Sequence, residues 1–262
     1  MTAAAGRAPG RQGPRSGPLR GPRPARIPSE DRPTYLSGEG PSLTLFDLDD
    51  TLLPIDSDHA WGEFMTRLGW VDAAEFARRN DAFYAQYKAG ALDIHEYIAF
   101  ATEPLRTRTA AQAAAAQRRF MAEVIGPQLR PRALELVQAH RARGDLIALV
   151  TATNDFITAP IAQAFGIADL IAVRLERGAG GTITGRIAGT PSYRDGKVTR
   201  VQEWLAQQGL GWERLGRISV YSDSVNDLPL LERATDPVAT NPSPALRQVA
   251  QARGWRILDL FD

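Results

Sequence analysis

Apolar and polar positions fall into two rhythms along this chain. Six short apolar runs have the length and β-branched content of buried parallel strands: "LTLF" (43–46), "DLIALVTATN" (145–154), "DLIAVRLE" (169–176), "RISVYSD" (217–223), and the weaker "DPVAT" (236–240) and "WRILDL" (255–260). Between them the apolar residues recur at helical spacing, in "LELVQAHRARG" (134–144), "FITAPIAQAFG" (156–166), "KVTRVQEWLAQQG" (197–209), "NDLPLLERA" (226–234) and "PALRQVAQARG" (244–254). Strand and helix alternate, which predicts an α/β fold: a doubly wound, mostly parallel sheet with helices on both faces.

The stretch from 56 to 129 breaks this alternation. It has no strand signal. "AWGEFMTRLG" sets Trp61, Phe64, Met65 and Leu68 at i, i+3, i+4 and i+7, and aromatic residues continue at helical spacing through "FARRNDAFYAQYKAG" and "DIHEYIAFA". "TAAQAAAAQRRFMAEVIGP" is Ala-rich and helical. The pattern predicts an all-α cap over 56–129, inserted into an α/β core made of 41–55 and 130–262. The aromatic stripe is read as core packing of that cap.

Residues 1–40 form a third region. The first 26 hold six Arg, five Pro, five Gly and no acidic residue. So little apolar surface does not offset the entropy of ordering, so the segment is expected to be a disordered tail, or the product of a start site placed too far upstream. It has no apolar signal-peptide core, and its prolines oppose a transit-peptide helix. A basic arm for nucleic acid is the alternative.

Composition narrows the function. The chain has 262 residues, is 44% hydrophobic and 23% charged, and carries a net charge of +1, which argues against a dedicated nucleic-acid binder. No stretch approaches the ~18 apolar residues of a membrane span. With no cysteine, thiolate catalysis, disulfides and Cys-ligated metals are excluded. Of 31 basic residues only Lys88 and Lys197 are lysines. Where Arg serves almost everywhere, a lysine marks a place for a compact ammonium; that reading is applied to Lys197, while Lys88 is read as chance.

In an open parallel sheet, ligands bind beyond the carboxyl ends of the strands. Those ends carry Asp47 and Asp49, Thr151, and Asp223 with Asp227. Alternation along an extended chain points Asp47 and Asp49 the same way. Carboxylates gathered on one edge need a cation, and oxygen ligands without Cys or His select a hard ion, Mg²⁺. Other motifs fail on spacing. An EF-hand loop from Asp47 needs Gly and Glu where Leu52 and Asp58 stand. "GAGGTITG" (178–185) precedes a β-like stretch rather than a helix and reads as a hairpin turn. His95 and His140 are expected on helix surfaces.

"DLDDT" (47–51), Thr151 after "LIALV", Lys197 in "GKVTR" and "SDSVND" (222–227) resemble, in order, the four motifs of the haloacid dehalogenase-like phosphatases. The insertion resembles the helical cap of their phosphoserine phosphatase-like branch, and "DSDHAW" and "NDAFY" resemble a bacterial group of histidinol-phosphatases within it. The resemblance implies a catalytic set of Asp47 as nucleophile, Asp49 as general acid and base, and Thr151 and Lys197 at the phosphoryl group. It implies Mg²⁺ on Asp47, Asp223 and the Asp49 backbone carbonyl, with Asp227 a ligand through water or an orienting group. Asp50 is left unassigned, and Thr51 is given the turn after the strand.

The cap is expected to select the substrate. Asp56, nine positions after Asp47, resembles the acidic residue that reads the substrate ammonium in phosphoserine phosphatases. Asp58 and His59 add polar contacts suited to an amine or imidazole, and Asn154 and Asn226 complete the expected substrate contacts. Asp58 has a second reading, as the cap that starts the "HAWGEF" helix. No clear arginine partner for a substrate carboxylate stands out; Arg78, Arg79, Arg118 and Arg119 are the candidates. The expectation is therefore a cytoplasmic monomer or homodimer that hydrolyses a small-molecule phosphomonoester, L-histidinol phosphate before phosphoserine, with no nucleic-acid or membrane partner. A phosphotransferase and a non-catalytic binding protein are the alternatives.

Overall fold

A computed structural model describes residues 40–261. The expectation of a disordered tail over 1–40 lies almost wholly outside the described residues.

Six strands form one all-parallel sheet in the order β3-β2-β1-β6-β7-β8. They are β1 (Leu43–Phe46), β2 (Leu146–Asn154), β3 (Asp169–Val173), β6 (Ile218–Ser222), β7 (Asp236–Thr240) and β8 (Arg256–Leu258). Parity along the strands builds two cores. Leu43 and Leu45 of β1, Ala148 and Val150 of β2, and Ile218 and Val220 of β6 face one side. There they meet Val201 and Leu205 of α8 (Asp195–Gln207), Leu230 and Leu231 of α9 (Leu228–Leu231), and Leu246 and Ala250 of α10 (Pro244–Arg253). Phe46, Leu149, Tyr221 and Val238 face the other side, toward α6 (Pro131–Ala142) and α7 (Asp155–Ala164). A strand covered on both faces has no solvent side, which is why these runs are apolar throughout.

The "DLIAVRLE" run divides. Its end, β4 (Leu175–Arg177), leaves the sheet and pairs antiparallel with β5 (Ile183–Ile187). The intervening Gly-rich segment makes the hairpin turn expected of it.

Between β1 and β2 the chain is helical: α1 (Ser57–Arg67), α2 (Ala73–Lys88), α3 (Ile94–Ala101), the short α4 (Glu103–Arg106) and α5 (Ala110–Phe120), followed by a π-turn over Met121–Ile125. Trp61, Phe64, Phe76, Phe100 and Phe120 of this insertion are buried in one cluster that is continuous with the Phe46 face of the sheet. Each of α1, α2 and α3 starts on an aspartate N-cap: Asp56, Asp72 and Asp93. No helix among the described residues is long and apolar enough to cross a membrane.

His140 departs from expectation. It is buried, not on a helix surface. Its Nδ1 lies 2.6 Å from Asp145 Oδ2, and the Tyr221 hydroxyl lies 2.7 Å from its Nε2. A ring with two polar nitrogens goes inside when both find partners. Helical periodicity alone does not reveal such partners, because Asp145 lies just before β2 and Tyr221 lies in β6, both outside the helix.

Candidate active site

The cleft at the carboxyl end of the sheet has two walls. The core side supplies Asp47, Asp49, Asp50, Thr151, Thr153 and Asp223; the helical insertion supplies Asp56, Asp58, His59, Asn80 and a set of aromatic side chains.

Asp47 shares the parity of Leu43 and Leu45, so it emerges on the face covered by α8. Lys197, in the first turn of α8, donates from Nζ to Asp47 Oδ1 at 2.9 Å and to Asp227 Oδ2 at 2.7 Å. The ammonium is 2% exposed and stands against its own helix dipole. Two carboxylates offset both penalties, and its pKa is pushed up: burial alone would lower it, but Asp227 and Asp47 outweigh burial. The preceding Gly196 has a packing reason. A Cβ there would lie 2.1 Å from the Pro191 carbonyl oxygen, so only glycine lets this turn place Lys197.

Thr51 does more than make a turn. Its Oγ1 lies 3.2 Å from Asp223 Oδ1 and 3.4 Å from Asp47 Oδ2, and it accepts from the Asp223 amide at 3.0 Å. One hydroxyl therefore joins the tips of β1 and β6. Burial pushes Asp47 up to about 6, against the pull of Lys197. Burial, then Asp47 and Asp50, holds Asp223 well above the usual carboxylate range.

Asp49 is held differently. Its Oδ1 accepts the Ser57 amide at 2.7 Å and its Oδ2 the Thr153 hydroxyl at 2.8 Å. Burial and the nearby Asp56 raise its pKa well above the ordinary value, while Ser57 opposes the rise. Two carboxylates two residues apart thus sit in unlike environments: one beside an ammonium, the other between an amide and a hydroxyl.

The donor set fits a hard divalent ion. Asp47, Asp49, Asp223 and Asp227 are four carboxylates around one lysine, and buried anions in that excess call for another cation. Among the described residues, no group of three His, Cys, Asp or Glu side chains is arranged to hold an ion. Two features explain this. Asp49 gives its side chain to Ser57 and Thr153, and Asp227 Oδ2 is taken by Lys197 and by the Ser222 hydroxyl at 2.8 Å. Asp47 Oδ1 likewise takes Lys197 and Asp223 Oδ1 the Thr51 hydroxyl, so each of the four carboxylates already has a partner from the protein itself, with Asp227 beside the Lys197 ammonium.

The expected substrate contacts divide. Asp56, Asp58 and His59 line the cleft with Thr151, whose Oγ1 accepts the Thr153 amide at 3.1 Å. Asp56, not Asp58, caps the helix: its Oδ1 accepts the amides of Asp58 and His59 at 3.0 and 2.9 Å. His59 Nδ1 lies 2.9 Å from Asn80 Nδ2. Asn154 and Asn226 are corrections, since neither lines the cleft. The Asn154 side chain caps α7 through the Ile157 amide at 3.2 Å. Asn226 Nδ2 donates to the Tyr87 carbonyl at 3.2 Å, tying the core to the insertion.

Lys88 is a second correction. Its Nζ lies 3.6 Å from Asp50 Oδ2 and 4.9 Å from the centre of the Tyr84 ring. Both lysines of the chain therefore serve this edge of the molecule. Beside Lys88, Arg194 donates to the Gly90 carbonyl at 2.8 Å, so the end of α2 is fastened to the core at several points.

Comparison with known proteins agrees with this geometry. The profile of the haloacid dehalogenase-like hydrolases matches residues 44–232. A histidinol-phosphatase of Neisseria meningitidis is 43% identical over 218 residues, covering 83% of this chain and 98% of that protein. A phosphoserine phosphatase of Mycobacterium tuberculosis is 29% identical, over 83% of this chain and 70% of its own. Among solved structures, a Bordetella pertussis protein of unknown function superposes with a TM-score of 0.80 at 51% identity, covering 85% of this chain and all of the other. A substrate-bound phosphoserine phosphatase shares the fold, with a TM-score of 0.59 at 18% identity over 83% of this chain and 92% of that one.

Proposed function

The chain belongs to the haloacid dehalogenase-like hydrolase family, and from that premise we propose that it is a Mg²⁺-dependent phosphatase working through an aspartyl-phosphate at Asp47. The observation that carries the reading is the unlike setting of Asp47 and Asp49. Asp47 Oδ attacks phosphorus and the ester oxygen leaves, taking a proton from the Asp49 carboxyl. Asp49, now ionised, takes a proton from the water that attacks the phospho-aspartate, which releases phosphate and restores both carboxyl groups. Thr151 and Lys197 offer donors to the phosphoryl oxygens, and Asp227 holds the ammonium in place. Asp47, Asp223 and the Asp49 backbone carbonyl would hold Mg²⁺, which supplies positive charge against the phosphoryl oxygens.

The core 41–55 and 130–262 would do this chemistry, with the insertion 56–129 as a cap that selects the leaving group. L-histidinol phosphate is the substrate the observations favour. A relative that is 43% identical is a histidinol-phosphatase. The cleft is lined by six aspartates and no arginine or lysine among the described residues, which suits a cationic substrate. Phosphoserine is the second reading, on the strength of the Mycobacterium tuberculosis relative. Its carboxylate would face Asp56 and Asp58 without a positive partner, which counts against it.

A panel of phosphorylated metabolites assayed with Mg²⁺ tests this reading. Fastest turnover of L-histidinol phosphate, lost on chelation and restored by Mg²⁺, is expected. Faster turnover of phosphoserine would move the assignment to the second reading, and no phosphate release from any ester would remove the phosphatase reading.

A further inference from the structure

Asp58 is 7% exposed, lines the cleft, and leaves its Oδ1 without a hydrogen-bond partner among the described residues. The Tyr97 hydroxyl serves the carboxylate, and burial, then Asp56, pushes its pKa up to about 7. Asp56 differs: its Oδ1 already takes two helix amides. An aspartate in the first turn of a helix is usually explained by the dipole, but that benefit does not require burial and is larger than the cost of burial only where further partners exist. A buried carboxylate in the lining of a cleft that keeps one oxygen unpaired lacks its partner until a ligand arrives.

The surroundings say what that ligand is. Phe83, Tyr84 and Tyr87 join Tyr97 in lining the same cleft as Asp58, so its carboxylate shares that cleft with aromatic side chains. Such faces attract cations and stack on planar rings. Among the described residues, neither arginine nor lysine lines the cleft to neutralise Asp58.

We infer that Asp58, backed by Tyr97 and walled by Phe83, Tyr84 and Tyr87, is the receptor for a nitrogen-bearing cation of the substrate, an ammonium or a protonated planar ring. Asp58 is thus the specificity-determining carboxylate, and Asp56 is the cap that positions it. The inference rests on the proposed phosphatase reading for the far, phosphorylated end of the ligand, but the receptor stands on its own geometry.

Two measurements on the full chain test it. Calorimetry with L-histidinol, which has the nitrogens but no phosphate, reads the receptor without catalysis. Asp58→Asn should weaken binding by about ten- to a hundredfold, the range of a charged hydrogen bond. Tyr97→Phe should weaken it less. In turnover, Asp58→Asn should lower kcat/KM for L-histidinol phosphate about ten- to a hundredfold more than for p-nitrophenyl phosphate, which has no cation. The melting temperature of the free Asp58→Asn protein should not fall, since the substitution removes a buried carboxylate that has one oxygen unpaired. Failure of the wild type to bind L-histidinol, unchanged binding by Asp58→Asn, or equal losses on both esters would overturn the inference. If the wild type hydrolyses no ester, the phosphatase reading falls, while calorimetry still decides the receptor.

Discussion

The Ser57 amide donates to Asp49 Oδ1 at 2.7 Å, so the first residue of α1 grips a carboxylate just past the tip of β1. The other oxygen of Asp49 takes the Thr153 hydroxyl at 2.8 Å. The helical insertion and β2 therefore aim the same side chain. Thr153→Val removes one of its two partners and keeps the shape. With a hydrogen bond to a charged group worth about 1.5–3 kcal/mol, kcat is expected to fall about tenfold to a hundredfold. Steady-state kinetics and a melting curve check this together: a drop in kcat with little change in Tm is expected, and unchanged kcat would show that Asp49 does not depend on Thr153.

The start of α1 rests on Asp56. Its carboxylate takes the amides of Asp58 and His59, which would otherwise be orphan donors. Asp56→Ala should cost about 0.5–2 kcal/mol in urea unfolding, and Asp56→Ser should recover most of it, because serine also caps. Equal stability of the wild type and Asp56→Ala would show that the cap carries no weight.

The core of the site was legible because its signals are local in sequence. Asp47 and Asp49 lie within one strand tip, and Lys197 stands out from a background of arginine. The rest was hidden for physical reasons. Thr51 and Thr153 matter through partners that arrive only when β1, β2 and β6 are side by side. Phe83, Tyr84, Tyr87 and Tyr97 have the same spacing as the buried Phe76 and Phe100, since a cleft wall and a core are both apolar. Asn154 and Asn226 looked like ligands because capping a helix and tying two segments together call for the same amide group. Lys88 carried the same compositional signal as Lys197. Its pair with Asp50 is partly exposed, a setting worth about 0–1 kcal/mol, so it marks contact between the segments more than it secures them.

The buried His140–Asp145 pair predicts a pH dependence of stability. Burial holds His140 below its ordinary pKa, so it is neutral in the fold and charges more easily once unfolded. The unfolded chain then binds more protons as pH falls below about 6.5, and stability is lost in that direction. Burial alone would raise Asp145, but hydrogen bonds from His140 and Thr44 outweigh it and hold it low. Its contribution is present above about 3.9 and is lost below, in the same sense. The raised carboxylates of the cleft titrate in the opposite sense, so the informative quantity is the difference between two Tm profiles. Wild type minus His140→Gln should shrink from pH 7 to pH 5, and a difference constant with pH would contradict a neutral buried His140.

Phosphoryl transfer to Asp47 is the step on which the proposed mechanism stands. The direct measurement is a rapid acid quench of the enzyme turning over L-histidinol phosphate, followed by peptide mass spectrometry. One phosphoryl group on Asp47 is expected, forming and decaying at least as fast as kcat and absent from Asp47→Asn, which should be inactive. A phosphoryl group on any other residue, or full turnover by Asp47→Asn, would contradict the account.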